Sequence, residues 1–182
     1  IDIGLQWETP ALTLALSAAI NQGDVGQVIV ETTGSSGIRK RVQLSTNAIA
    51  ASAELSNAQV GAKLGDIWSL LLPTNHIAGL NVLARAIKLE SKVVSLNESA
   101  DYTAIVPTQL HRAISGDAKL LEHLQRCKSV LVGGSPASKT ILEAATKAGI
   151  TVVTSYGMTE TSGGCVYNNK ALSGVSVTVD QS

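Results

Sequence analysis

Residues 31–42 read ETTGSSGIRKRV, small hydroxyl residues and glycines ending in three cations, set directly after the apolar run Val28-Ile29-Val30. A polyphosphate needs close backbone approach, several N–H and O–H donors, and positive charge. Gly34 and Gly37 supply the first, Thr32, Thr33, Ser35 and Ser36 supply hydroxyls, and Arg39, Lys40 and Arg41 supply charge. The segment reads as a phosphate-gripping loop, with a solvated Gly/Ser-rich hairpin turn as the alternative. It is not a Walker-type loop, which has four residues between its glycines and then Lys-Ser/Thr; here only Ser35 and Ser36 separate Gly34 from Gly37. Two further segments offer ligand chemistry. Gly133-Gly134-Ser135-Pro136 presents bare backbone against which a flat ring can lie, and SYGMTET at 155–161 brings the Tyr156 ring, the Thr159 and Thr161 hydroxyls and the Glu160 carboxylate.

These segments need strands to deliver them. Apolar and helical stretches alternate along the chain, the pattern of strands packed between helices in an α/β domain. Helix is expected over 10–21, after Thr9-Pro10, and a buried strand over 27–31 leading into the loop. Ser45 can cap a helix through STNAIAASAELSNAQ. Residues 66–73 read as a proline-stopped strand. A helix over 78–89 carries Leu80, Leu83, Ala84 and Ile87 on one stripe and places Arg85 off it. Strands at 93–96 and 103–106, a helix from Pro107 and another over 120–126 follow. Then come a strand at 129–132, the GGSP turn, a helix closed by Gly149 and a strand at 150–154. Ligands of parallel sheets gather at the carboxyl ends of strands, so the turns after Val132 and Thr154 are the expected ligand loops. The tail from Cys165 alternates weakly, like a strand without its continuation.

Composition narrows the classes. In 182 residues, 45% hydrophobic and 15% charged content suits one folded soluble domain, and fourteen basic against fourteen acidic residues leave no net charge. With 3% aromatic residues and no Phe, a basic groove with stacking rings is poorly supported, so no nucleic-acid partner is expected. Cys127 and Cys165 lack metal-ligand spacing and read as reduced, packed thiols. No apolar run reaches membrane-span length and the first residues lack a signal-peptide layout, which makes cytoplasmic localisation the expectation. His111 and His123 are read as surface or boundary residues on helix faces, without partners.

TTGSSGIRK at 32–40 and YGMTE at 156–160, in that order and over a hundred residues apart, resemble the adenylate-forming superfamily of acyl-CoA synthetases, luciferases and nonribosomal adenylation domains. LPTNHIAG at 72–79 is similar to the family's segment that places a His beside the acyl pocket. VPTQL at 106–110, LVGGSPAS at 131–138 and YGMTETSGGCVY at 156–167 most resemble the actinobacterial 2-succinylbenzoate–CoA ligases of menaquinone biosynthesis. The resemblance runs from about residue 11 to 179. It implies the large N-terminal domain of that superfamily, with mostly parallel sheets flanked by helices. The activity implied is ATP-dependent formation of an acyl-adenylate and transfer of the acyl group to CoA, with ATP, magnesium and CoA as the small molecules used alongside a carboxylic acid. By the same resemblance, Thr32, Thr33, Gly34, Ser35, Ser36, Gly37 and Lys40 would embrace the β- and γ-phosphates. Gly133, Gly134, Ser135, Pro136 and Tyr156 would flank adenine, and Gly157 would join them in binding the nucleotide. Thr159 would touch the α-phosphate and Glu160 would hold magnesium. His76 would orient the acyl group or the incoming thiol. Arg85, nine residues after His76, would take the substrate's distal carboxylate.

The sequence departs from the family in two places. Arg39 stands where the family usually has proline before its lysine, which frees φ and adds a donor and a charge. The given sequence ends at Ser182, ahead of the family's ribose-binding aspartate, hinge and small C-terminal domain with its catalytic lysine. One ATP- and acyl-binding domain portion over 1–182, with little adenylation activity alone, is therefore expected. Another acyl- or aryl-CoA ligase of the superfamily and a noncatalytic nucleotide-binding module stay open, as does homo-oligomerisation.

Overall fold

The computed structural model describes residues 1–4, 7–21, 26–33 and 39–178. In chain order it runs α1 (Thr9–Asn21), β1 (Gln27–Thr33), β2 (Arg39–Ser45), α2 (Thr46–Val60), β3 (Trp68–Ser69), α3 (Ile77–Lys88), β4 (Val93–Val94) and β5 (Tyr102–Ile105). It continues through α4 (Pro107–Ile114), α5 (Ala118–Arg126), β6 (Ser129–Val132), α6 (Lys139–Lys147), β7 (Val152–Met158), a 3₁₀ turn (Thr159–Thr161), β8 (Gly163–Tyr167) and β9 (Lys170–Ala171). Seven strands form one sheet in the order β4-β3-β5-β6-β7-β8-β9, parallel as far as β7 and antiparallel beyond it. The mixed α/β, mostly parallel architecture is the one the sequence implies.

Side-chain alternation along the central strands explains the layering. On β6, Val130 and Val132 pack among Leu110, Leu124 and Ala145 from α4, α5 and α6. Leu131 points the other way, into a cluster with Trp68, Val82 and Tyr167 beneath α3. A third cluster joins α1 to the β1–β2 pair and to α2 and α3 through Leu16, Val28, Ile49 and Leu83. Local signals set the helix ends. The Ser45 Oγ accepts from the Ala48 N–H at 3.1 Å to cap α2, and Gly61 closes that helix in the left-handed conformation. Gln109 accepts from the Val106 N–H and donates to the Leu71 carbonyl, tying the start of α4 to the chain leaving β3.

Four expectations are corrected. Residues 39–41 are not the end of a loop. They begin β2, which pairs antiparallel with β1 in a register that sets Thr32 opposite Lys40, because the alternation of Val42 and Leu44 gives this stretch an inward face. The strand at 66–73 shrinks to Trp68–Ser69, since the Asp66 carboxylate and N–H both bond to Lys63 and fold 63–66 into a turn. The strand at 150–154 does not stop there. It continues through Tyr156 to Met158, because the antiparallel β8 supplies partners as far as Gly163. His123 is buried, with its Nε2 2.7 Å from Ser69 Oγ, and His111 Nδ1 lies 3.3 Å from Ser115 Oγ, so both histidines have partners. Both cysteines are free, Cys127 within the core and Cys165 half-buried.

Candidate functional site

A cavity of about 260 Å³ opens where β5 and β6 end, between α3 and the β7–β8 hairpin. Sheet topology alone puts it there, because parallel strands direct their connecting turns to one edge. Gly133 and Gly134 line it from the turn after β6, and Ser155, Gly157 and Thr159 from β7 and the 3₁₀ turn. Its remaining wall is α3, whose Asn81 and Arg85 sit one turn apart on the same face.

Arg85 lies off the stripe of Leu80, Leu83, Ala84 and Ile87, as expected, yet it is buried on another face of α3. Its residue is 4% exposed, and its guanidinium carbon lies 5.0 Å from the Trp68 ring centroid. Its Nε donates to Ser56 Oγ at 2.8 Å, and its Nη1 is buried without a hydrogen-bond partner. A helix wedged between α2 and the sheet buries more than one stripe, so an arginine that would face solvent on a surface helix is enclosed here. A buried cation with a spare donor is costly unless an anion or strong acceptor meets it. The cavity is where one can.

A second cavity, about 470 Å³, lies beside the first, lined by Gly134, Ser135, Pro136, Tyr156 and Gly157 among others. Gly134, Ser155 and Gly157 line both, so the two spaces adjoin at that neck. Tyr156 is 67% exposed, a large ring at the edge of a hollow lined mainly by small and apolar residues. Gly157 cannot be replaced here: a Cβ would come within 1.9 Å of the Gly163 carbonyl oxygen across the hairpin.

Beyond Gly157 the backbone is held under strain. Ser162 has φ of 57°, in the left-handed region, and its carbonyl accepts from Ser52 Oγ at 3.0 Å and from Asn81 Nδ2 at 2.8 Å. These two bonds pin the end of the 3₁₀ turn that carries Thr159 and Glu160 to α2 and α3. Strand β2 packs against the same turn, which brings the strand of Lys40 beside the turn of Glu160. Lys40 and Glu160 are both exposed. His76 occupies the N-cap position of α3, exposed and making no side-chain cap bond, next to Ile77 and Ala78 of the first cavity's wall.

Of the sequence-derived site residues, the structure gathers Arg85, Gly133, Gly134, Ser135, Pro136, Tyr156, Gly157 and Thr159 around two adjoining cavities. Thr32, Lys40, His76 and Glu160 do not line either one. Thr33 ends β1, and Gly34, Ser35, Ser36 and Gly37 lie outside the described residues. Sequence reasoning missed Asn81, Ser155, Ser56, Trp68 and Tyr167. Asn81 carried a usable signal: a polar residue four before Arg85 among apolar helix neighbours. Among the described residues no group of three or more His, Cys, Asp or Glu side chains converges on a metal position, and no helix is long and apolar enough to cross a membrane. A lone exposed carboxylate such as Glu160 fits magnesium, which commonly takes one or two carboxylates and draws its other oxygens from phosphates and water.

A family model described as AMP-binding enzyme matches residues 17–180. A probable 2-succinylbenzoate–CoA ligase of Mycobacterium tuberculosis is 39% identical over 170 residues, covering 84% of this chain and 44% of that protein. The chain thus spans less than half the length of this curated relative. Among solved structures, an acyl-CoA synthetase (AMP-forming)/AMP-acid ligase II-like protein from Dyadobacter fermentans shares the fold, with a TM-score of 0.79 at 24% identity over 97% of this chain and 57% of that one. The o-succinylbenzoate coenzyme A synthetase of Bacillus subtilis, in complex with ATP and magnesium ion, is 30% identical with a TM-score of 0.64, covering 77% of this chain and 32% of that one.

Proposed function

This chain belongs to the AMP-binding enzyme family, and on that premise we propose that it forms the acid- and nucleotide-binding part of an ATP-dependent acid–CoA ligase acting on 2-succinylbenzoate. One observation carries the reading. Two cavities adjoin at Gly134, Ser155 and Gly157, one walled in part by Arg85, whose Nη1 has no hydrogen-bond partner, and the other by the Tyr156 ring, Pro136 and the Gly134 and Gly157 backbone. An acyl-adenylate has that shape, with an organic acid at one end, adenine at the other and a mixed anhydride between them. The relatives' names support 2-succinylbenzoate as the acid and CoA as the acceptor.

The chemistry follows from charge. A carboxylate and a triphosphate repel each other, so donors must offset the phosphates before an acid oxygen can attack the α-phosphorus in line. That attack forms the new P–O bond and expels pyrophosphate. The CoA thiolate then attacks the acyl carbon, forms the thioester and releases AMP. Thr32, Thr33, Gly34, Ser35, Ser36, Gly37 and Lys40 are assigned to the β- and γ-phosphates, and Thr159 to the α-phosphate. Residues 133–136 and Tyr156, with Gly157, are assigned to the adenine end. Glu160 would hold magnesium, which when bound supplies charge neutralisation at the phosphates. His76, exposed at the rim of the acid cavity, is assigned to orienting the acyl group or the thiol, and Arg85 to the distal carboxylate of the acid.

ATP–pyrophosphate exchange tests this, run on the chain alone and with a supplied C-terminal domain of the family, across a panel of acids. The expected result is exchange that depends on the acid and prefers 2-succinylbenzoate, weak alone and stronger with the added domain. Equal exchange with monocarboxylic acids would move the assignment to another acyl- or aryl-CoA ligase. Nucleotide binding with no acid-dependent exchange would leave a noncatalytic module.

A further inference from the structure

Arg85 is held by residues that never reach the cavity. An arginine side chain loses much rotamer freedom when ordered, and here two contacts order it from behind. Its Nε donates to Ser56 Oγ at 2.8 Å and its guanidinium lies over Trp68, while Asn57 Nδ2 donates to the Arg85 backbone carbonyl at 3.0 Å and ties that turn of α3 to α2. Ser56 is fully buried and accepts a second hydrogen bond, from the Tyr167 hydroxyl at 2.9 Å. A serine oxygen has two acceptor lone pairs, so the Ser56 oxygen spends both on Arg85 and Tyr167. The Nε edge of the fork is thereby fixed to α2, and α2 in turn to β8. Nη1 is buried without a partner, and Arg85 lines the cavity, so the end of the fork away from Nε keeps a donor that nothing in the protein uses. Tyr167 is 0% exposed, and neither it nor Ser56 lines the cavity.

We infer that Ser56 and Tyr167 are positioning residues that aim the Arg85 guanidinium, and that this aim is what makes the cavity select acids bearing a second carboxylate. The inference rests on the reading of Arg85 as the partner of the acid's distal carboxylate. It adds that charge alone is insufficient. A free arginine would offer its donors in many directions, whereas a planar fork fixed along one edge presents its other nitrogens to a carboxylate in one orientation.

The test is calorimetric titration of the chain with two acyl-sulfamoyl-adenosine probes, one carrying a 4-(2-carboxyphenyl)-4-oxobutanoyl group and the other the same group without the ring carboxylate. The readout is the ratio of the two dissociation constants, which a merely structural loss would not move. Ser56→Ala is expected to cut the preference for the carboxylate probe by about tenfold and Tyr167→Phe by about threefold, the scale of one hydrogen bond. Arg85→Ala is expected to abolish it. An unchanged ratio in Arg85→Ala sinks the acid-site reading and this inference with it. A ratio lost in Arg85→Ala but unchanged in Tyr167→Phe and Ser56→Ala overturns this inference alone, as does an equal weakening of both probes in those two variants. Should Ser56→Ala fail to fold, Tyr167→Phe decides by itself, since it removes only a hydroxyl.

Discussion

The two ends of the candidate site are built in opposite ways. At the end assigned to the acid, Arg85, Ser56, Trp68 and Tyr167 are all buried, stacked or hydrogen-bonded across α2, α3, β3 and β8, so the geometry exists before any ligand arrives. At the end assigned to the nucleotide, Tyr156, Lys40 and Glu160 are exposed, and the cavity beside Tyr156 is lined mainly by small and apolar residues, Gly134, Pro136, Ala137 and Gly157 among them. A selective pocket needs fixed donors, because discrimination comes from groups that a wrong ligand leaves unpaired. A nucleotide that must bind, react and leave is served by an open surface. On the proposed reading, core residues choose the acid and surface residues hold the nucleotide.

Stability and binding should divide along that line. Trp68→Ala removes a fully buried ring from beneath Arg85 and should cost about 3–5 kcal/mol in urea unfolding. Tyr156→Ala should change stability by less than about 0.5 kcal/mol, as an exposed substitution does. It should nevertheless weaken AMP binding by about 1–3 kcal/mol through lost stacking. Comparable unfolding costs for the two would erase the contrast between a prebuilt end and an open one.

The smallest effect expected is pH dependence beneath the acid end. Burial lowers the His123 imidazole below its ordinary value of 6.5, the Arg126 charge adds to this, and the nearby Leu96 backbone partly opposes it. The unfolded chain then binds the proton more readily, so the stabilisation is present above pH 6.5 and is lost as pH falls through 6.5 toward the lower folded value. The loss should be at most about 1.4 kcal/mol per pH unit. Urea unfolding of the protein and of His123→Gln between pH 7.5 and 5 measures it, with a flatter profile expected for the variant. Parallel profiles would remove His123 from the account.

Much of this was legible in the sequence, for identifiable reasons. Residues 129–132 appear as β6 with the same bounds because a fully buried parallel strand is a short apolar run between turn residues, and Ser45 caps α2 as its hydroxyl predicts. The glycine turn and the YGMTE segment fall around adjoining cavities because sheet topology collects them at one edge. What escaped the sequence depends on contacts between distant residues. Strand β2 exists through pairing with β1, and β7 extends past Thr154 because β8 lies against it. That Arg85 is buried was not legible, because its spacing from Leu80 and Leu83 says nothing of Ser56 or Trp68, which only the fold brings beside it.

The central claim is that the adjoining cavities take one molecule spanning acid and nucleotide. Titration calorimetry of the chain with the carboxylate-bearing acyl-sulfamoyl-adenosine, alone and in competition with AMP and with free 2-succinylbenzoate, tests it most directly. The account predicts one binding site, displacement by either competitor, and affinity at least about a hundredfold above that for AMP, because the second fragment binds without a second loss of translational freedom. Affinity equal to that for AMP, with no displacement by the acid, would contradict it.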